Sequence, residues 1–443
     1  MPIAAVPQYL GQDFKDASPG LRFGMYLKLW GQNLRSKELL WTFYDVSYEI
    51  RGQQQQEREV REENKVSALK AATVLTRSDK ANLAALSARQ TALAAAVPDE
   101  QLLRIDAQAI SPFTTGLGNE HPLENGFAFL NPYGLPYLPG SSVKGVLRQA
   151  ARELAGGDWG DCKGWSAEKT YLLKVDREEI GLSLLDVLFG LESEDGSKQH
   201  VRGALTFWDV IPRINGESLL VEIMTPHQGH YYQQKQDVKT GLSTTPHDSG
   251  QPVPISYLTV PPGSGFTLFV TCDPARLRRL APDLVQADQA GQPRWKQLML
   301  AAIEHAFSWL GFGAKTAVGY GAMRRDKNAE EKAAKEAAQA LQRQQEAVRR
   351  ASLTEAGKEI FDLEQTLRQR HEALKGKLDR PFQKCYDKSQ SVVNNALATA
   401  SAWTAEEKRQ LCDVIMKWLP KVEEHDIKNL RKKLRLNELD PPR

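Results

Sequence analysis

Glycine and proline are spread unevenly along these 443 residues, and their spacing decides which stretches can turn and which can only run on as helix. They recur throughout Leu102 to Met323, are absent from Gln53 to Val97, and beyond Asp326 glycine returns only at Gly357 and Gly376. Glycine supplies positive φ, while proline fixes φ and removes an N–H donor. The middle is therefore cut into short segments joined by turns, whereas the flanks, rich in Gln, Glu, Lys, Arg and Ala, favour helix by intrinsic propensity. Residues 1–52 hold Tyr9, Phe14, Phe23, Tyr26, Trp30, Trp41, Phe43, Tyr44 and Tyr48 among short apolar pieces and read as an irregular or partly helical docking segment. Residues 53–100 read as a helical insertion, 101–325 as a mixed α+β core, and 326–443 as an all-α extension.

The length suits two or three domains, at about 100 to 200 residues each. A 41% hydrophobic fraction is enough for real cores, and a mean hydropathy of −0.47 leaves a generous polar surface. No apolar run approaches the ~20 residues that cross a bilayer, and the start, MPIAAVPQYLGQDFKD, has no basic stretch followed by an apolar one. Neither a membrane span nor a secretory leader is expected. Cys162, Cys272, Cys385 and Cys412 are far apart, with no Cys-x-x-Cys and no histidine at ligand spacing, so no structural metal, disulfide scaffold or cofactor is expected and a reducing cytoplasm suits the chain. The formal charge of +3 leaves nucleic acid open, because a phosphate-binding groove needs only local Lys and Arg.

Within the core, LLRIDAQAI alternates as a strand, with Leu103, Ile105 and Ala107 on one face. ALTFWDVIP, SLLVEIMTP, VPISYLTVPP and GFTLFVTCDP are further strand candidates, each stopped by proline or glycine. SSVKGVLRQAARELAG and WKQLMLAAIEHAFSWLGFG have helical spacing instead. The second sets Leu298, Ala301, Ala302, His305, Phe307 and Leu310 near one stripe and ends at Gly311. On that stripe His305 reads as a satisfied core histidine. Beyond Asp326, AEEKAAKEAAQALQRQQEAVRR is polar nearly all round, while later helical stretches have apolar faces that suit a small bundle.

Two stretches point to chemistry. In GFGAKTAVGYG, residues 311–321, Gly311, Gly313, Gly319 and Gly321 let the backbone approach a partner, with Lys315, Thr316 and Tyr320 between them. Exposed N–H groups in such a loop form an anion-binding concavity. It is neither a Walker A loop nor a dinucleotide fingerprint, because the helix precedes the glycines, and the bland alternative is an ordinary turn. In GLPYLPGSSVKGVLRQAAR, residues 134–152, Ser141 reads as an N-cap, with Ser142, Lys144 and Arg148 at the helix start and along one face. That is a phosphate seat, or more plainly a capped helix with a solvated basic face.

These two stretches resemble the hallmarks of the RAMP superfamily of CRISPR-associated RNA-binding proteins. TTGLGNEHPLENGF (114–127), MTPHQGHYYQ (224–233) and PVPISYLTVPPG (252–263) resemble more narrowly the sixth subunit of type III-B CRISPR effector complexes. The likeness covers roughly residues 100–325. It implies a ferredoxin-like, RNA-recognition-motif-like core with a thumb-like loop over 224–251 and the glycine-rich loop on the RNA backbone. It also implies a subunit that holds guide RNA near its 3′ end, and the guide–target duplex, beside the other effector subunits. The cutting subunits of such complexes carry an aspartate ahead of the Pro-Gly-Ser-Ser helix. Here Glu120, His121, Glu124 and Asn125 stand there, with no aspartate between Ile110 and Pro139, so a non-catalytic role is expected.

In the 224–251 loop, His227, His230, Tyr231 and Tyr232 carry three readings. His227 and His230 are metal ligands lacking a third partner, a histidine and a tyrosine are an acid–base pair for metal-independent RNA cleavage, or the aromatics stack on bases while the histidines touch phosphate or sugar. The third is the expectation, and tyrosines packed on the core remain the plain alternative. A repeat-RNA-processing endoribonuclease and a stand-alone single-stranded RNA-binding module are the rival functions. Lys428, Arg431, Lys432, Lys433 and Arg435 read as a solvated helix face, or as a contact with RNA backbone or an acidic neighbour.

Overall fold

The alternation in LLRIDAQAI builds the centre of the molecule. Along the chain, β1 (Leu102–Ala109), α1 (Gly140–Gly156), β2 (Leu205–Phe207), β3 (Gly265–Cys272), α2 (Arg294–His305) and β4 (Met323–Arg325) follow one another in the computed structural model. The structure describes residues 2–51, 56–123, 125–175, 178–192, 200–225, 254–289, 291–375, 384–399, 402–425 and 427–440. β1 pairs antiparallel with β3 on one side and β4 on the other, and β2 pairs antiparallel with β3, so the strand order is β2-β3-β1-β4. Leu103, Ile105, Ala107 and Ala109 of β1 are buried in the same core as Val143, Leu147, Ala150, Ala151 and Leu154 of α1 and Leu298, Met299, Ala302 and Ile303 of α2. Each buried Leu, Ile, Val or Met among these is worth about 1.5–3 kcal/mol relative to exposure. α1 ends where Gly157 adopts the left-handed conformation at φ 78°. His305 on α2 is buried and sits 2.7 Å from the Glu153 carboxylate of α1, a satisfied core histidine as its stripe position predicts.

The amino-terminal region departs from the sequence expectation in two ways. Residues 53–100 are not helical throughout: Gln56–Glu63 is a strand paired antiparallel with Tyr44–Arg51, and helices occupy Lys65–Thr73 and Arg77–Ala95. Tyr44, Val46, Tyr48 and Ile50 supply β-favouring side chains directly across from Glu63, Arg61, Glu59 and Glu57, and that pairing overrides the helix propensity of the second strand. Residues 1–52 are also less irregular than read, and not an appendage. Ile3–Ala4 pairs with Lys28–Trp30, and Phe23, Leu27 and Leu29 join the core together with Ala68, Leu69 and Ala72 of the Lys65–Thr73 helix.

The chain divides into two compact units, Met1–Glu331 and Lys332–Arg443. The second contains most of α3 (Lys327–Ala351), which buries no side chain, then α4 (Glu355–Leu374), α5 (Lys384–Ala398), α6 (Ala405–Val422) and α7 (Ile427–Lys433). Ile360, Leu363, Leu367, Val393, Leu411, Ile415 and Leu419 form its own hydrophobic core. Glu423, buried after α6, accepts hydrogen bonds from the Cys385 and Tyr386 N–H groups at the start of α5, a carboxylate placed where the helix dipole favours it. In the basic run, Leu430 and Leu434 are buried, and Arg435 pairs with Glu438. No helix among the described residues is long and apolar enough to cross a membrane.

Candidate nucleic-acid interface

After α2 the chain makes one π-helical turn, Ala306–Leu310, and enters the glycine-rich loop at Gly311, φ 70°. The loop is stapled on both sides. Phe312 donates to the Gly321 carbonyl at 2.9 Å, Gly321 to Pro112 at 2.8 Å, and Ala314 to Thr114 at 2.8 Å. Across its tip, Val318 and Tyr320 donate to the Lys315 carbonyl and Gly319 to Thr316. The close approaches demand glycine: a Cβ on Gly313 would lie 2.2 Å from the Thr114 carbonyl oxygen, and one on Gly321 only 1.8 Å from that of Phe312. Gly319 differs, since its φ of 93° is left-handed but nothing lies within 4 Å. The N–H groups of Lys315, Thr316 and Ala317 have no hydrogen-bond partner among the described residues, and three consecutive free donors make the concavity expected of an anion seat.

Lys315 itself is left-handed, at φ 59°, a conformation that costs a non-glycine residue about 1–2 kcal/mol. Its ammonium is turned inward, 5.0 Å from the centre of the Tyr257 ring and 3.4 Å from the Met224 sulfur, and burial pulls its pKa down. Tyr257 and Met224 belong to the hairpin Leu220–Met224 with Ile255–Thr259, in which Glu222 stands opposite Tyr257. The Tyr320 hydroxyl reaches Glu222 at 3.5 Å, and its ring lies 5.8 Å from that of Tyr257. Burial, with Tyr320 and Glu222 beside it, pushes the Tyr257 hydroxyl above the ordinary tyrosine range. The loop and hairpin are tied together by Thr114, whose hydroxyl donates to Leu258 at 2.9 Å. The result is a cation over an aromatic face beside free N–H donors, suited to a phosphate with an unstacked base nearby. Tyr257, Glu222 and Met224 were not singled out from sequence, where the one available signal was the alternation of Tyr257 with Thr259.

The seat at α1 is different from its sequence reading. Pro139, not Ser141, is the N-cap, and no side chain caps the helix. Gly140 instead donates its N–H to the Asp209 carboxylate at 2.7 Å, and a Cβ there would meet the Phe207 carbonyl oxygen at 2.3 Å. An aspartate from the end of ALTFWDVIP thus fills the place a phosphate would take, and the helix dipole that attracts anions explains why. Arg148 is half-buried, and its Nη2 donates to the Gly190 carbonyl at 3.4 Å. Ser141 is exposed, while Ser142 and Lys144 are half-exposed. Register separates the two seats: α1 starts against Phe207, which pairs through Val270 to Leu103, whereas the glycine-rich loop adjoins Ala109 and Met323 at the other end of β1.

His227, His230, Tyr231 and Tyr232, with almost all of the 224–251 loop, lie outside the described residues, as does Glu124. His121 is placed and is structural. Its Nδ1 accepts from the Leu123 N–H at 3.2 Å, its Nε2 donates to the Phe23 carbonyl at 2.8 Å, and the ring stacks on Phe23 at 3.8 Å. Among the described residues no group of three His, Cys, Asp or Glu side chains is arranged to hold a metal ion.

The sequence model of the RAMP superfamily matches residues 106–324, from β1 into β4. Residues 106–324 are a RAMP-superfamily domain. The chain is 29% identical over 243 residues to the CRISPR system Cmr subunit Cmr6 of Pyrococcus furiosus, covering 48% of this chain and 64% of that relative's length. Among solved structures, the crystal structure of Cmr6 from Pyrococcus furiosus is 23% identical at a TM-score of 0.26, over 51% of this chain and 98% of that one. A chain of the type III-B Cmr-beta complex bound to cognate target RNA is 15% identical at a TM-score of 0.36, over 59% of this chain and 71% of that one. The RAMP domain contains both the glycine-rich loop and the hairpin it packs on. Lys332–Arg443 and the amino-terminal strands and helices lie outside it.

Proposed function

We propose that this chain is a non-catalytic RNA-binding subunit of a type III-B CRISPR effector ribonucleoprotein, holding the guide RNA backbone near its 3′ end and the guide–target duplex. The β-α-β-β-α-β order with strands arranged β2-β3-β1-β4 supports a ferredoxin-like core, and the likeness to Cmr6 supports the assembly. The observation that carries the RNA reading is the loop of residues 311–321, where Lys315, Thr316 and Ala317 keep unpartnered N–H groups among the described residues and the Lys315 ammonium lies over the Tyr257 ring. Phosphate contacts of this kind hold RNA regardless of sequence, which suits a subunit that must accept any guide. Partners are guide RNA, target RNA and the other effector subunits, and the cytoplasm is the place where they meet.

The test is equilibrium binding of purified protein to repeat-derived guide RNA across a salt series, with RNA integrity read on the same samples with and without divalent metal. Lys315→Ala is expected to weaken binding and to flatten the logarithmic salt slope by about 0.7, one single-strand phosphate's worth. An unchanged slope removes the loop from the interface. A discrete cut lost on changing His227 or His230 makes the protein a processing nuclease instead.

A further inference from the structure

Outside the RAMP domain, the amino-terminal segment and the Lys65–Thr73 helix enclose a cleft of about 270 Å³. One wall is aromatic: Phe14 and Tyr26 stack with ring centres 4.2 Å apart and planes 7° from parallel, both half-exposed. The other lining side chains include Arg22, Lys15, Lys28 and Asp13, three cations against one carboxylate. Lys15 pairs with Asp13 at 3.3 Å, whereas Lys28 has no carboxylate within ion-pair distance among the described residues.

Arg22 makes the charge imbalance sharper. It is 7% exposed, yet among the described residues it donates only to neutral carbonyls: Nε to Ala17 at 2.9 Å, Nη1 to Ala71 at 2.6 Å, and Nη2 to Val74. A guanidinium has five N–H donors, so two remain. Burial pulls its pKa down, and the field of Asp79 offsets this only in second place. A charge buried against neutral acceptors is costly, and a bound anion compensates it. The carbonyls around the end of the Lys65–Thr73 helix explain why Arg22 is tolerated. They do not explain why two further lysines and a stacked aromatic pair line the same cleft.

We propose that this cleft binds a nucleotide, with its flat base continuing the Phe14–Tyr26 stack and its phosphate held by Lys28, Lys15 and Arg22. A stacked pair recognises a planar ring through its π-face, and the positive lining selects an anion joined to that ring over a neutral aromatic. The chemistry is shared by a free nucleoside monophosphate and by the terminal nucleotide of an RNA strand. No lining residue belongs to the glycine-rich loop or its hairpin, so this site stands apart from the proposed guide-RNA interface.

Calorimetric titration of the full chain with AMP and UMP, against inorganic phosphate and adenosine, tests it. Saturable nucleotide binding is expected, weakened about tenfold or more by Phe14→Ala and by Lys28→Ala and unaltered by Lys315→Ala. A lysine-acetylation footprint of the unmodified protein guards against a variant that merely misfolds: AMP should protect Lys28. Competition by a short RNA carrying a terminal phosphate assigns the site to an RNA end, and absence of competition assigns it to free nucleotide. No saturable binding, or binding that leaves Lys28 equally reactive, overturns the proposal.

Discussion

Gly313, Gly319 and Gly321 are indistinguishable in a sequence and differ in what a methyl group would meet. At Gly321 it would enter the Phe312 carbonyl, at Gly313 the Thr114 carbonyl, and at Gly319 only open space. Gly321→Ala is therefore expected to cost about 3 kcal/mol, combining overpacking with the left-handed penalty. Gly319→Ala should cost about 1 kcal/mol from φ alone. Urea denaturation of the two variants checks this. Equal losses would mean that the close approach at Gly321 is relieved by backbone movement. Sequence could show that residues 311–321 need backbone freedom. It could not show which glycine faces a carbonyl, because that depends on where Pro112 and Thr114 return beside the loop.

Elements that read correctly from sequence are those whose signals are local. β1 alternates, α2 carries its stripe to His305 before a π-helical turn leads into Gly311, and each proline-stopped strand candidate in the core contributes a strand. What sequence hid is what one element does to another. Tyr44–Arg51 turns a helix-forming stretch into a strand, Asp209 claims the start of α1, and the hairpin draws Lys315 inward. His121 is a further case, tying the short helix Pro19–Phe23 to the core through the Phe23 carbonyl. Its Nδ1 is an acceptor there, so the neutral ring is the folded form, and burial lowers its pKa from the ordinary 6.5. The folded state then binds fewer protons than the unfolded one. Its contribution to stability is full above 6.5 and is lost as pH falls through the depressed folded value. Urea midpoints measured between about pH 5 and 7 should fall with pH in the native protein and slope less in His121→Gln. Identical slopes would place the acid sensitivity elsewhere.

Among the described residues each compact unit has its own large hydrophobic core, and the first also holds a small separate cluster of Leu83, Leu135 and Ile211. Every buried residue of the second lies at or beyond Ala356, while α3 ahead of it buries nothing. A fragment spanning residues 352–443 is therefore expected to be helical by circular dichroism and to unfold cooperatively in urea. A fragment that stays a coil would show that its core needs the preceding unit. Packing of this kind is what a helix under about 15 residues requires, since isolated helices of that length are marginal in water, and α7, with 7 residues, is that short.

The stapling of the glycine-rich loop has an entropic consequence. Residues 311, 312, 314 and 318–321 already donate their backbone N–H groups within the protein. Fixing a residue's backbone costs about 1–2 kcal/mol, and for these residues folding has met that cost before any ligand arrives. A strand laid on the loop has to immobilise itself but little of its host, so weak and sequence-blind phosphate contacts can add up to useful affinity. On the proposed RNA reading, loosening the staples at Pro112 or Thr114 is expected to weaken RNA binding without removing a single contact to the strand.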